Sequence, residues 1–386
     1  MKFSVLVPTR SGGAYLRGCL DSVLGAANDD DVEVVVSDNA NEDETALVLA
    51  GYAGDHRVRV VRHHHVLPVA DNWNAAYRAS RGEYVLMLGD DDALLPGCFD
   101  TLRRLLDVHD DPECLTYNAF SFVAPDAIVG LEVAHYADPH FHFDDSLVDE
   151  REIFRDERRR IVADMFRFRP RIPLNMQTTL VARSAYERLP DGPYRAPFPD
   201  HFALNALMLT ARRWIVAPAQ PLVVGISPKS FGHHVYSDHQ DEGLRYLGIE
   251  TDFISRLPGN ELLNATYIWL LMLKRTFPAE LAGVEISRGD YVARQLYAWY
   301  RQARLGHLSQ SELRRRIRAL GARDFTAAVC AVADPENARR LGQAVMARGR
   351  AQQLWPGLRP LPGMEDISQF VEWTGRESTP GSGPAG

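Results

Sequence analysis

Within the first 125 residues, short apolar runs closed by polar residues alternate with stretches of helical periodicity, and this alternation constrains the fold most. Phe3 to Val7 is closed by Pro8, and Val32 to Val36 by Ser37-Asp38-Asn39. Val58 to Val61 follows, and Tyr84 to Leu88 runs into Gly89-Asp90-Asp91-Asp92. Between them, Tyr15 to Ala27 carries Leu16, Leu20, Val23 and Leu24 at helical spacing, and Glu42 to Tyr52 and Val69 to Ser80 read as helices. Gly97 to His109 adds a helix and Leu115 to Val123 a strand. Short uninterrupted apolar runs suit strands buried on both faces. Their alternation with helices predicts an α/β, Rossmann-like architecture, a mainly parallel sheet flanked by helices. Ligands of such sheets bind beyond the carboxyl ends of the strands. Pro8-Thr9-Arg10, Ser37-Asp38-Asn39 and Gly89 to Asp92 all fall there, so three strand ends deliver polar residues to one rim.

The pattern then changes. From Ala124 to Pro173 it is less regular, with an aromatic and histidine-rich stretch at His135, Tyr136 and His140 to Phe143, then an Arg-rich helix from Glu150 to Phe168. Thr178 to Ala182 reads as a strand and Pro199 to Leu209 as a helix. Beyond Asp241 the reading is nearly all helix, over 242–256, 261–276, 287–304, 309–320 and 335–351. The expected organisation is 1–125 and 126–237 as the two halves of one α/β domain, 238–373 as a helical C-terminal module, and 374–386 as a disordered Gly/Pro/Ser-rich tail.

Charge and cysteines narrow the function. With 43 Lys plus Arg against 51 Asp plus Glu the net charge is −8, which argues against generic nucleic-acid binding and its need for a basic footprint. Residues 301–350 are locally basic, with 11 Arg and 4 acidic residues. They read as solvated helix faces, with an anionic acceptor, a peripheral membrane contact or a homo-oligomer through these helices as sharper alternatives. Cys19, Cys98, Cys114 and Cys330 show no CxxC spacing, so neither a zinc site nor a disulfide framework is expected. The apolar run in MKFSVLVPTR is too short for a signal peptide and no apolar stretch spans a bilayer, so a cytoplasmic protein is expected.

The strongest chemical signal is Asp90-Asp91-Asp92 at the end of an apolar strand. Three adjacent carboxylates repel one another unless positive charge sits among them. Their hard oxygens suit Mg²⁺ or Mn²⁺, which would also take the phosphate oxygens of a diphosphate. The plainer reading is an acidic turn capping the helix from Gly97. Asp38, just beyond its strand, is placed to accept from a base N–H or a ribose hydroxyl, or simply to cap the next helix. Pro8, Thr9 and Arg10 are placed to face the base or the phosphates.

In order, VLVPTR, VVVSDNAN and DNWNAAYRASRGEYVLMLGDDDALLPG resemble glycosyltransferase family 2, with the GT-A fold, over about the first 125 residues. The resemblance implies a nucleoside diphosphate sugar donor, with UDP the commoner nucleotide and dTDP the main alternative. It implies that Pro8, Thr9 and Arg10 line the nucleoside pocket, that Asp38 contacts the base, that Asp90 approaches the ribose and that Asp91 ligates the metal. Asn72 and Arg78 would line the donor pocket. The family often has two acids where Ser37-Asp38 stands and Asp-x-Asp-Asp where Gly89-Asp90-Asp91-Asp92 stands, which leaves Asp92 a metal candidate beside Asp91.

The same resemblance implies a downstream acid as general base of an inverting transfer. Asp200, in Phe198-Pro199-Asp200-His201, is the best match, with Asp191 as runner-up; an N-cap is the plainer role for Asp200. GT-A enzymes often supply a late histidine to the metal, which points to His233 or His234 in a loop placed to close over the diphosphate, and Lys229 could neutralise phosphate charge. His63-His64-His65 reads as an exposed loop or pocket edge. The expected activity is metal-dependent hexosyl transfer from a UDP- or dTDP-sugar to a hydroxyl or amine of a glycan, lipid or natural product. The competing readings are a nucleotidyltransferase and a catalytically inactive sugar-nucleotide-binding protein. The first lacks a convincing Gly-rich loop after strand one, and the second is disfavoured by the retained Asp38 and triple Asp.

Overall fold

The computed structural model describes residues 1–27, 30–128, 130–141, 149–230, 252–253, 256–346 and 357–377. The first part runs β1 (Phe3–Thr9), α1 (Gly13–Ala26), β2 (Val32–Asp38), α2 (Thr45–Ala50), β3 (Val58–Arg62), α3 (Val69–Ala79), β4 (Tyr84–Met87), β5 (Ala93–Leu94) and α4 (Cys98–Val108). It continues through β6 (Cys114–Thr116), β7 (Phe120–Val123), β8 (Ala134–Ala137), β9 (Arg151–Glu152) and α5 (Arg155–Met165). Then come β10 (Thr179–Ala182), α6 (Arg183–Tyr186), α7 (Pro199–Thr210), β11 (Trp214–Val216) and β12 (Leu222–Ile226).

Eight strands form one sheet in the order β3-β2-β1-β4-β10-β6-β11-β9. Strands β1 to β4 are mutually parallel, β10 inserts antiparallel to both β4 and β6, and β11 runs parallel to β6. This is the mainly parallel, helix-flanked α/β sheet that the sequence predicts. Every residue of β2 is buried, which is why its sequence lacks the alternation of a half-exposed strand. The charge inside it, Glu33, accepts from Ser4 Oγ at 2.6 Å and the Arg81 amide at 2.5 Å, while the second, Asp38, ends the strand. The register sets Thr9 opposite Asp38, so the polar residues after β1 and β2 emerge level.

A second, five-stranded sheet begins with β13 (Arg359–Leu361) and has the order β13-β8-β7-β12-β5. It divides the strand expected over 115–123: β6 stays in the large sheet and β7 enters the small one. Asn118 marks the break, its carboxamide accepting from the Ala119 amide at 2.9 Å and donating to the Phe141 carbonyl at 2.8 Å. The second helix also starts later than the sequence suggested, because Asp43 caps it through the Thr45 amide at 3.0 Å and hydroxyl at 2.5 Å.

The C-terminal region contributes α8 (Glu261–Thr276), α9 (Arg288–Leu305), α10 (Gln310–Arg318), α11 (Ala322–Val332) and α12 (Pro335–Met346). Asn260, Ser287 and Ser309 cap the first three, each accepting from a first-turn amide. Ala265, Trp269, Leu270 and Leu273 of α8 share one core with Phe202 and Leu204 of α7 and Ile161 of α5, so these helices are built onto the sheet domain. Part of the basic charge of 301–350 is paired locally, Arg315 and Arg316 with Glu312 and Arg340 with Glu336.

The chain then returns to the first half. Strand β13 (Arg359–Leu361) pairs antiparallel with β8, and α13 (Ile367–Glu377) packs Phe370 against Phe122 and Tyr136. The helical C-terminal module expected over 238–373 thus also contains one short strand, and α13 continues past Thr374, where the tail was expected to begin. Apolar residues Leu361, Ile367 and Phe370 drive this return by completing a core with Ala93, Phe122 and Val223. The boundary expected near Ser237 and nearly all of the helix expected over 242–256 lie outside the described residues. Among the described residues no helix is long and apolar enough to cross a membrane.

Candidate active site

The acidic turn follows β4 directly, and its three carboxylates hold different partners. Asp90 accepts from Thr9 Oγ1 at 2.5 Å on one oxygen and from Lys229 Nζ on the other. Asp91 is half-buried, and its Oδ2 accepts from Ser227 Oγ at 2.6 Å. Asp92 is fully buried, with Oδ1 accepting from the Gly225 amide at 2.8 Å and Oδ2 from the Gly89 amide at 2.5 Å. Burial and then Asp90 raise the Asp91 carboxyl above its ordinary value. Burial and then Asp91 do the same to Asp92. Strand β12 approaches so closely that a Cβ on Gly225 would sit 1.8 Å from the Asp91 carbonyl oxygen. Only glycine fits there.

The ends of β1 and β2 stand beside this turn. A Cβ on Gly12 would fall 1.9 Å from Asp90 Oδ2, so glycine at this position lets Asp90 reach Thr9. Asp38 Oδ1 accepts from the Asn41 amide at 3.1 Å and side chain at 2.9 Å, and Asp38 Oδ2 lies 3.7 Å from Arg62. Asn39 pairs reciprocally with the Leu67 backbone, at 3.0 and 2.7 Å. Ser37 donates to Asn72 Oδ1 at 2.7 Å and contacts His63 Nε2 at 2.8 Å, tying the α3 face to β2.

On the opposite wall, α7 opens with Pro199 in its first turn, where the missing N–H costs nothing. Asp200 Oδ1 accepts from the His201 amide at 2.9 Å, and burial is the main force raising its carboxyl above the ordinary value. The His201 ring stacks on Phe198 at 5.1 Å and meets Trp269 edge-on at 6.0 Å.

These walls enclose one cavity of about 400 Å³. Of the residues singled out from sequence, Pro8, Arg10, Asn72, Asp90, Asp91, Asp92 and Asp200 line it, as does Lys229. Thr9 and Asp38 are buried beside the lining residues Pro8, Arg10 and Asn39. Asp92 lines the cavity, and each of its oxygens accepts from one backbone amide. Arg78 is exposed and outside the lining. Six residues separate it from Asn72, and at about 100° per residue the two point some 120° apart around the helix. Asp191 is exposed in a turn with φ 62° and faces elsewhere. His64 and His65 are exposed, and His63 serves Ser37. His233 and His234 lie outside the described residues.

The sequence reading missed Asn39, Trp73, His140, Asn175, Gln177 and Leu262 as lining residues. Asn39 and Trp73 sat inside the motifs already quoted. His140 sat in the histidine-rich stretch, Asn175 and Gln177 come from a segment with no local signature, and Leu262 arrives from α8.

The sequence model of glycosyl transferase family 2 matches residues 4–121. This stretch of the chain belongs to glycosyl transferase family 2. The family 2 stretch contains β1 through the acidic turn and ends within β7. A PGL/p-HBAD biosynthesis glycosyltransferase of Mycobacterium bovis is 33% identical over 104 residues, which is 27% of this chain and 40% of that protein. The uncharacterized protein MT1568 of Mycobacterium tuberculosis is 33% identical over 103 residues, 26% of this chain and 31% of that protein. The chain thus spans less than half the length of these relatives. Among solved structures, S. aureus TarS 1–349 in complex with UDP-GlcNAc aligns at 17% identity and a TM-score of 0.48, covering 82% of this chain and 90% of that one.

Proposed function

We propose that the protein transfers a sugar, with inversion, from a nucleoside diphosphate sugar to an acceptor hydroxyl or amine. One observation carries the reading: a single cavity joins the acidic turn after β4 to Asp200 at the start of α7, a leaving-group site facing a base. The family 2 match on the donor-side strands supports it. The nucleoside would lie against Pro8, Arg10, Asn39 and Asn72, with Asp38 offering Oδ2 to the base and ordering the Asn39–Asn41 turn. A UDP-sugar is the donor favoured by the family resemblance, and use of such a donor would place the reaction in the cytoplasm.

The residues present fit a divalent cation. Three carboxylates share one ammonium, Lys229, in a buried turn, and Asp91 Oδ1 carries no described hydrogen bond toward the cavity. Among the described residues no group of three His, Cys, Asp or Glu is placed to hold an ion alone. That suits Mg²⁺ or Mn²⁺, which take one or two protein carboxylates and complete their shell with phosphate oxygens and water. Asp91 would hold the ion, with Asp92 beside it as the second candidate, and the ion when bound would supply positive charge to the departing diphosphate.

The chain's own groups do the rest. Lys229 and Arg10 add positive charge on the phosphate side as the anomeric C–O bond breaks and the nucleoside diphosphate leaves with both electrons. Asp200 takes the acceptor hydroxyl's proton while that oxygen attacks the anomeric carbon. Burial keeps its carboxylate basic enough to accept the proton. A thermal-shift screen of nucleotide sugars, with and without Mn²⁺, tests the donor half: binding to the native state raises the midpoint as ligand rises above Kd. Stabilisation by one base class, strengthened by metal, is the expected result. No shift with any nucleotide sugar would contradict the reading.

A further inference from the structure

A second cavity, of about 670 Å³, is built where the C-terminal return meets the small sheet, and its lining includes Phe120, Tyr136, Asp138, Gln220, Arg359 and Trp373. Its volume is that of a small-molecule site, which commonly measures about 300–1,000 Å³. Tyr136 and Trp373 form an aromatic corner, with ring centroids 5.3 Å apart and planes at 67°. Behind them the fully buried Phe370 packs on both, at 5.8 and 5.4 Å. Asp138 Oδ1 is held by Gln220 Nε2 at 2.9 Å, and the Arg359 guanidinium lies 5.7 Å from the Tyr136 ring centre.

This chemistry matches a saccharide. One face of a pyranose presents C–H groups with slight positive charge, which an electron-rich ring face accepts. Its edge presents hydroxyls that both donate and accept. Asp138 accepts from such hydroxyls, Arg359 donates to them, and Gln220 does either. One carboxylate and one guanidinium leave the groove near neutrality, which disfavours a polyanion. The charged rim disfavours an acyl chain.

The two cavities meet at one loop. Asp138 lines this groove, and His140, two residues on, lines the candidate active site; two residues of chain span at most about 7 Å. The loop is fixed by the His140 amide on the Ala119 carbonyl at 2.7 Å and by Asn118 on the Phe141 carbonyl. We propose that the Tyr136–Trp373 groove is a saccharide-binding subsite that holds a neutral sugar unit of an oligosaccharide acceptor, remote from the hydroxyl facing Asp200. The acceptor class, which the family 2 stretch leaves open, is then a glycan and not an isolated lipid or small aglycone.

The inference rests on the glycosyltransferase reading, but its test does not need turnover. Saturation-transfer NMR and calorimetry on the full chain would use defined malto-, cello-, chito- and manno-oligosaccharides as probes. At least one should bind wild type, Trp373→Ala should weaken it at least about tenfold, as for other aromatic anchors, and Trp373→Tyr should largely restore it. Asp138→Ala, at an exposed loop position, weakens the same probe without a folding penalty. Donor hydrolysis without acceptor should be equal in wild type and all three variants. Absence of oligosaccharide binding, or binding unchanged in both alanine variants, overturns the subsite while leaving donor chemistry standing. Oligosaccharide binding by a chain that turns over no nucleotide sugar would instead sink the transferase reading and keep the subsite.

Discussion

Replacing Asp92 with alanine strips two part-buried backbone amides, Gly225 and Gly89, of their carboxylate acceptor. Hydrogen bonds to a charged group contribute about 1.5–3 kcal/mol each, and a buried donor left without a partner costs about 1–3 kcal/mol. Because burial and Asp91 also disfavour the charged form of Asp92, that loss is partly offset, and Asp92→Ala should cost about 1–3 kcal/mol of folding stability. The adjacent Asp91→Ala should behave oppositely. It removes one bond, to Ser227 at 2.6 Å, and also a half-buried carboxylate that burial and Asp90 disfavour in its charged form. Its stability change should therefore be near zero, while metal-dependent donor affinity is lost. Urea unfolding of both variants measures the first quantity, and calorimetric titration with nucleoside diphosphate, with and without Mn²⁺, measures the second. If Asp92→Ala were as stable as wild type, or if Asp91→Ala lost as much stability as Asp92→Ala, this division of labour within the turn would be refuted.

Asp200→Asn should leave nucleotide affinity nearly intact and lower kcat about 10²–10⁴-fold, whereas near-normal kcat would return Asp200 to a helix-capping role, since Asn caps about as well as Asp. Because burial raises the Asp200 carboxyl, its base form is lost on acidification at a pH above the ordinary carboxylate range, so the acid limb of kcat should lie there and vanish in Asp200→Asn. Asp38→Ala should weaken nucleoside diphosphate binding by about 1.5–3 kcal/mol, the value of a hydrogen bond to a charged acceptor, to the same extent with and without metal; a calorimetric Kd close to wild type removes Asp38 from donor recognition. Gly12→Ala places a Cβ 1.9 Å from Asp90 Oδ2, so it should displace Asp90 and depress donor affinity, and an unchanged Kd would show that the Thr9–Asp90 contact is dispensable.

What was legible in the sequence was what local pattern encodes. Uninterrupted apolar runs such as Val34 to Val36 gave the buried parallel strands, and the position of Asp90 to Asp92 after such a run gave the rim of the site. Pro199 before Asp200 marked a helix start that proved to be at the cavity wall. What was not legible depends on pairing at long range. Nothing near Asp92 announces that it accepts from the amide of Gly225, 133 residues away, nor that Lys229 reaches Asp90 across 139 residues. Arg78 was expected among the lining residues because a motif carries no helical phase, and phase decides which α3 side chains face the cavity. The return of Arg359 to Leu361 to the small sheet was hidden because a three-residue strand is too short to show a period.

The central claim is that the acidic turn and Asp200 act together on a nucleoside diphosphate sugar. Release of nucleoside diphosphate from a panel of UDP- and dTDP-sugars, followed with a coupled assay in Mn²⁺, Mg²⁺ and EDTA, tests it most directly. Wild type should release diphosphate from at least one donor in a metal-dependent manner, EDTA and Asp91→Ala should abolish release, and Asp200→Asn should suppress the acceptor-stimulated part alone. Metal-independent release that survives in Asp91→Ala, or no release from any donor that demonstrably binds, would contradict the account.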